Sequence, residues 1–119
     1  MVDKKGKQRE KSAAVIMSRY FSSEVIFLVP SNAYRQKTAD YIINDTVWEL
    51  KSFITKSPKT LKKRFKEGLY QSKNIIVDLR ESKVHEHTAL TLLKRLAMNH
   101  RDVRLVLCIL KSKEVIVIK

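Results

Sequence analysis

The dipeptide Asn44-Asp45 constrains this chain more than any other pair of residues. It separates two runs, 39–43 and 46–53, rich in β-branched and aromatic residues. Both of its members tolerate the positive φ that a tight two-residue turn demands, so the pattern predicts an antiparallel hairpin. The register follows by counting. Ile43 should face Thr46, Ile42 should face Val47, Tyr41 should face Trp48 and Asp40 should face Glu49. Directly opposed residues share a sheet face with Cβ atoms about 4.5–5.5 Å apart. Lys51, two residues beyond Glu49, points to that same face. Two carboxylates and an ammonium are thus expected in one cluster.

Opposed carboxylates repel, and a strand pair ordinarily avoids them. A divalent cation would remove the penalty, because hard ions take one or two carboxylates and keep several waters. Asp40 and Glu49 are therefore candidate ligands, with the Leu50 carbonyl nearby, for Mg²⁺ foremost and Mn²⁺ or Zn²⁺ as alternatives. Such a metal would lower the pKa of a bound water and neutralise charge on a scissile phosphate. Lys51 would orient that water or stabilise the pentacovalent phosphorus. The same three residues could equally form a surface salt-bridge cluster, a common and weakly stabilising arrangement. By themselves they do not choose.

The remaining pattern supplies context. Apolar residues recur at helical spacing over 7–21, through Ala13, Ala14, Met17, Tyr20 and Phe21. Residues 24–29 read as a strand closed by Pro30, and 31–38 as a polar loop. Ser57-Pro58 places an N-cap before a proline at the first helical position, opening a helix over 58–70 that buries Leu61, Phe65 and Leu69. A strand over 74–79 follows, then a helix over 83–99 carrying Ala89, Leu92, Leu93, Leu96 and Ala97. Two strands, 103–110 and 114–118, close the chain. The order is an αβββαβ core extended by αββ, which implies an α/β or α+β fold with a mixed central sheet flanked by helices. Residues 1–6 are expected to form a flexible basic arm, and 7–119 a single folded domain.

Charge narrows the partner. The 119 residues hold 25 Lys and Arg against 12 Asp and Glu, a formal net charge of +13. So positive a surface repels itself unless it meets a polyanion, of which nucleic acid is the commonest. No apolar run is long enough for a membrane span, and no cleavable export signal is visible. With two Gly in the chain, Gly-rich phosphate loops are excluded. The helix over 58–70 presents Lys59, Lys62, Lys63, Arg64 and Lys66 around its narrow apolar stripe, a face suited to a phosphate backbone. Cys108 lies in an apolar run and reads as a buried thiol. Zinc-ligand spacing is absent. Asp78 and Arg80 alternate about Leu79 and so form a strand-end ion pair or, through Arg80, a phosphate contact. Trp48 points away from the proposed centre and reads as core.

The segments Thr38-Ala39-Asp40 and Trp48-Glu49-Leu50-Lys51, set in an αβββαβ order, resemble the PD-(D/E)XK nuclease superfamily, with Ala39 where the family commonly has Pro. The resemblance implies a metal-dependent endonuclease with Asp40, Glu49 and Lys51 catalytic. It also implies an acidic metal ligand on the first helix, at Glu10, and a polar active-centre residue at Gln71. Glu10 reads equally well as a charge favouring the helix start, and Gln71 as a helix C-terminal polar residue. Over most of the chain the run 39–51, the step Gln71-Ser72-Lys73 and the segment 74–80 are similar to the C-terminal nuclease domains of contact-dependent growth inhibition toxins. Similar domains end some phage head-morphogenesis proteins. That similarity implies cleavage of tRNA or DNA in the cytoplasm and a cognate immunity protein as partner. Two other readings stand beside it. One is a metal-independent toxin ribonuclease of the barnase or colicin-like fold, using His85, His87 or His100 as acid or base. The other is a nucleic-acid-binding module without catalysis.

Overall fold

The structure, a computed structural model, describes residues 4–28 and 40–119, and of residues 4–7 and 71 the backbone alone. Nine elements follow one another: α1 (Lys4–Phe21), β1 (Val25–Phe27), β2 (Tyr41–Ile43), β3 (Thr46–Ser52), α2 (Pro58–Gln71), β4 (Asn74–Asp78), α3 (Glu86–Asn99), β5 (Leu105–Ile109) and β6 (Val115–Val117). This is the expected order. The strands are shorter by one or two residues at most ends, and α1 begins at Lys4, so residues 4–6 of the expected arm are helical. Lysine propagates a helix well, and a glycine in the first turn costs about 1 kcal/mol without breaking it.

The six strands lie side by side in chain order, β1 to β6. Pairing is antiparallel for β1–β2, β2–β3 and β5–β6, and parallel for β3–β4 and β4–β5. A turn of two residues can only reverse a strand, whereas α2 and α3 each carry the chain back to add the next strand in parallel. Both crossovers step in the same direction, and the right-handed rule then places both helices on one face. The core follows that logic. Leu61, Phe65 and Leu69 of α2 and Ala89, Leu93 and Ala97 of α3 pack on Ile75, Val77, Val106 and Cys108. The opposite face is covered by α1, whose Ala13, Ala14 and Met17 meet Tyr41, Ile43, Trp48, Ile76, Leu107 and Ile109. Consecutive strand residues go to opposite cores, as the two-residue period requires.

Local signals behave as their chemistry predicts. Asn44 and Asp45 sit at φ 50° and 62°, the pair of left-handed residues that a tight hairpin turn needs. Ser57 caps α2, its hydroxyl accepting from the Thr60 amide at 3.2 Å. Trp48 is buried at 2% exposure and packs on Phe21 with ring centroids 5.8 Å apart. Tyr20 departs from expectation: it is exposed and lies edge-on to Phe21 instead of entering the core. No described helix is long and apolar enough to cross a membrane.

Candidate functional site

The hairpin register holds for three pairs, Ile43↔Thr46, Ile42↔Val47 and Tyr41↔Trp48, and then departs from the count. Asp40 does not continue the ladder opposite Glu49. Its amide donates to the Trp48 carbonyl at 3.0 Å, so Asp40 and Tyr41 both lie against Trp48, two residues opposing one as in a β-bulge. The bulge turns the Asp40 side chain along the partner strand, where Oδ2 accepts from the Leu50 amide at 2.8 Å. Its carbonyl meanwhile accepts from the Leu28 amide of the β1 side at 3.0 Å. Simple cross-strand opposition is thereby replaced by a carboxylate clamped to the backbone between Glu49 and Lys51. The Leu50 amide thus serves Asp40 directly.

Glu49 and Lys51 lie on the β3 face that meets α2. Lys51 Nζ stands 3.2 Å from Glu49 Oε1, with side-chain exposures of 29% and 15%. The lysine stem runs across α2 at Gly68, where an added Cβ would lie 3.3 Å from Lys51 Cε. That glycine, isolated in a helical pattern, is the signal by which sequence reasoning could have found it. Burial pushes the Asp40 carboxyl above its ordinary range, and the negative charges of Glu10 and Glu49 push the same way, opposed by the Leu50 amide and the Lys51 ammonium. Four of the expected residues, Glu10, Asp40, Glu49 and Lys51, therefore share one electrostatic centre.

Glu10 reaches that centre from α1. Its backbone carbonyl accepts from the Tyr41 hydroxyl at 2.6 Å, tying the helix to β2, while the residue itself is exposed. Among the described residues no three His, Cys, Asp or Glu side chains are grouped as ready metal ligands. Asp40 and Glu49 offer hard oxygens of the kind Mg²⁺ takes in ones and twos with water completing its shell. Glu10 adds negative charge without completing a three-ligand nest.

The chain's residues 37–115 match the model of the contact-dependent growth inhibition CdiA C-terminal domain. The chain belongs to that family. The matched span contains Asp40, Glu49 and Lys51 and begins after Glu10. A solved structure described as the CdiA-CT/CdiI toxin and immunity complex from Burkholderia pseudomallei superposes with a TM-score of 0.76 at 19% identity, covering 100% of this chain and 90% of that one. At that identity the likeness establishes the fold. No curated protein matches.

The other expected residues of this CdiA C-terminal domain fall in three places. Lys59, Lys62, Lys63 and Lys66 line a shallow groove on the outer face of α2, with Arg64 also exposed. Arg80 is turned inward. Its Nε and Nη2 bond Asp78 Oδ1 and Oδ2 at 2.9 and 2.7 Å, Nη1 bonds Ser12 Oγ at 2.7 Å, and Nη2 also reaches the Arg9 carbonyl at 3.2 Å. The expected Asp78–Arg80 ion pair is observed, and one N–H of Arg80 Nη1 is left over from these four bonds. Gln71 closes α2, and its side chain lies outside the described residues, as do Thr38 and Ala39. The histidines do not assemble. His85 and His87 stand exposed at the start of α3, and His100, half-buried, stands at its end, separated by a helix of about 20 Å.

Proposed function

We propose that this CdiA C-terminal domain is a toxin that hydrolyses nucleic-acid phosphodiester bonds with a divalent metal, and that a cognate immunity protein restrains it. The observation that carries the reading is the clamped Asp40 carboxylate, raised in pKa between two further acids and beside the Glu49–Lys51 pair. A centre holding more negative charge than it compensates is destabilising as it stands and becomes favourable once a cation or a protonated group enters.

Asp40 and Glu49 would hold the metal, Mg²⁺ by the hardness of their oxygens, with Mn²⁺ or Zn²⁺ as substitutes. When bound it supplies a lowered water pKa and charge neutralisation at the phosphate. The Leu50 amide fixes the Asp40 carboxylate in one orientation. Lys51, held by Glu49 on one side and by α2 on the other, presents its ammonium to the non-bridging phosphate oxygens or to the attacking water. Glu10 raises the local negative potential from α1. Gln71, at the end of α2, is proposed as a polar contact of the same centre. The lysines of α2 would hold the nucleic-acid backbone, without reading its bases. The site of action would be the cytoplasm of the cell that receives the toxin, where tRNA and DNA are both present; tRNA is the substrate favoured by resemblance.

The test is incubation with total tRNA and with plasmid DNA, with Mg²⁺, Mn²⁺ or Zn²⁺ and with EDTA, beside Asp40→Ala. Metal-dependent cutting that Asp40→Ala abolishes is the expected result. Persistent cutting by Asp40→Ala, or cutting in EDTA that leaves a 2′,3′-cyclic phosphate, would overturn the mechanism.

A further inference from the structure

A cavity of about 650 Å³ opens on the α1 side of the sheet, where the first half of α1, the end of β4 and the β5–β6 turn meet. Its walls include Arg9, Ser12, Arg80, Glu81, Lys111 and Lys113. Among the described residues no aromatic side chain lines it, so these walls offer no platform on which a base could stack.

Its charges fall into two kinds. Arg80 is paired with Asp78, which is 2% exposed, and Arg9 Nε is paired with Glu81 Oε2 at 3.1 Å. Those two pairs cancel in net charge but hold the guanidinium groups rigid. Four of the five Arg80 N–H donors are occupied by Asp78, Ser12 and the Arg9 carbonyl, leaving one on Nη1 for the cavity. Lys111 and Lys113 make no ion pair among the described residues and supply the uncompensated positive charge. Lys113 also stands at φ 74°. That region is costly for a side chain with a Cβ and is usually given to Gly or Asn. A lysine there carries a strain that a glycine would relieve.

The cavity is linked to Glu10 and Tyr41 through the backbone of α1. Arg80 grips the Arg9 carbonyl, and the next carbonyl along α1, that of Glu10, accepts from Tyr41. The charges of Glu10, Asp40, Asp78 and Arg80 all act on the Tyr41 hydroxyl.

We propose that this cavity is a phosphate subsite, holding a phosphodiester of the nucleic-acid strand next to the one presented to Asp40 and Glu49, through Lys111, Lys113 and the pre-set Arg80. The proposal rests on the nucleic-acid reading above and adds a second anchor on the face opposite α2. An anchor of this kind positions the strand and contributes no base specificity.

The experiment uses the full chain carrying Asp40→Asn, so that binding is read without cleavage, and fluorescein-labelled tRNA as probe. Lys111→Ala with Lys113→Gly should keep or raise the melting temperature, because the glycine relieves the left-handed strain. It should also lower the slope of log K against log salt concentration by about 1.4 to 1.8, two contacts at about 0.7 to 0.9 each. Lys94→Ala, on the exposed side of α3, serves as the charge control and should change that slope by less than half a contact. An unchanged slope in the double variant, or an equal loss per charge with Lys94→Ala, overturns the subsite. So does a double variant that binds tRNA normally while losing affinity for an acidic immunity protein. Metal-dependent cleavage by the native chain is measured in parallel. Cleavage with an unchanged slope rejects the subsite alone, and a lowered slope without cleavage rejects the nuclease and keeps the subsite.

Discussion

Gly68→Ala separates what holds α2 together from what places Lys51. In the helix, alanine in place of glycine gains up to about 1 kcal/mol of propensity. A chain of 119 residues unfolds with an entropy of about 0.25 kcal/mol/K, so that gain is worth about 4 °C in melting temperature. Against it stands the contact of the new Cβ with Lys51, 3.3 Å to Cε, 3.6 Å to Cγ and 3.9 Å to Cδ. The stem must yield by a few tenths of an ångström. Because the tightest contact is to the far end of a flexible chain, yielding costs at most about 0.5–1.5 kcal/mol of rotamer strain, and a slight swing avoids most of that. The variant should therefore melt about 1–4 °C higher.

The swing moves the ammonium. Lys51 Nζ now sits 3.2 Å from Glu49 Oε1, and a misplacement of about 1 Å in a catalytic group costs about a hundredfold. On the proposed function a few tenths should cost roughly three- to tenfold in kcat, with KM for tRNA little changed, since the α2 lysines proposed to hold the backbone do not move. Thermal melts and steady-state cleavage on the same preparations provide the check. A variant that melts higher and cleaves at the native rate refutes the reasoning: either α2 does not set the position of Lys51, or that ammonium takes no part in the reaction.

Asp40→Asn tests the burial argument through pH. The folded-state pKa of Asp40 is raised, so the stability linked to its protonated form is present below the ordinary carboxylate range and lost as pH rises through the raised value. Asparagine keeps an acceptor for the Leu50 amide without the charge. In EDTA at pH 7 the variant should melt above the native chain, with the difference vanishing towards about pH 3, and added Mg²⁺ should stabilise only the native chain. A variant that melts lower at pH 7 contradicts the assignment. Asp78→Asn should destabilise by about 2–3 kcal/mol in urea titration, because it leaves a mostly buried Arg80, 14% exposed, without its carboxylate. A loss under about 0.5 kcal/mol would class the pair with surface salt bridges. Cys108 is fully buried, its thiol pushed up to about 12 by burial. Labelling with a disulfide reagent at pH 8 should proceed only as fast as global unfolding, and rapid labelling would contradict the packing.

Which of these features were legible in the sequence depends on the range over which each is decided. The Asn44-Asp45 turn and the Ser57-Pro58 cap are settled within four residues, and both stand where the sequence places them. The register out to Tyr41↔Trp48 follows from the turn alone. One residue further it fails, because the Asp40 carbonyl is drawn to Leu28 and its carboxylate to Leu50. One partner is remote in sequence and the other competes with the ladder, and counting detects neither. The need for a gap at Gly68 appears only when Lys51 crosses α2, a contact between segments far apart in the sequence. The cavity around Arg80 draws on three segments that only the packed fold brings together.

The distribution of charge ties these parts together. A chain of net charge +13 has cations enough to offset Asp40 and Glu10 with two further lysines beside Lys51. Instead one pair, Glu49–Lys51, is compensated at contact distance, and Asp40 is left with a backbone amide. The surplus cations stand outside, on α2 and around the Arg80 cavity. An anionic centre repels an anionic substrate, so a polyanion can reach it only if more distant positive charge holds the strand on either side. That arrangement costs stability in the empty protein. It is consistent with a site in which the missing positive charge arrives with the metal and the substrate is gripped by its flanking phosphates.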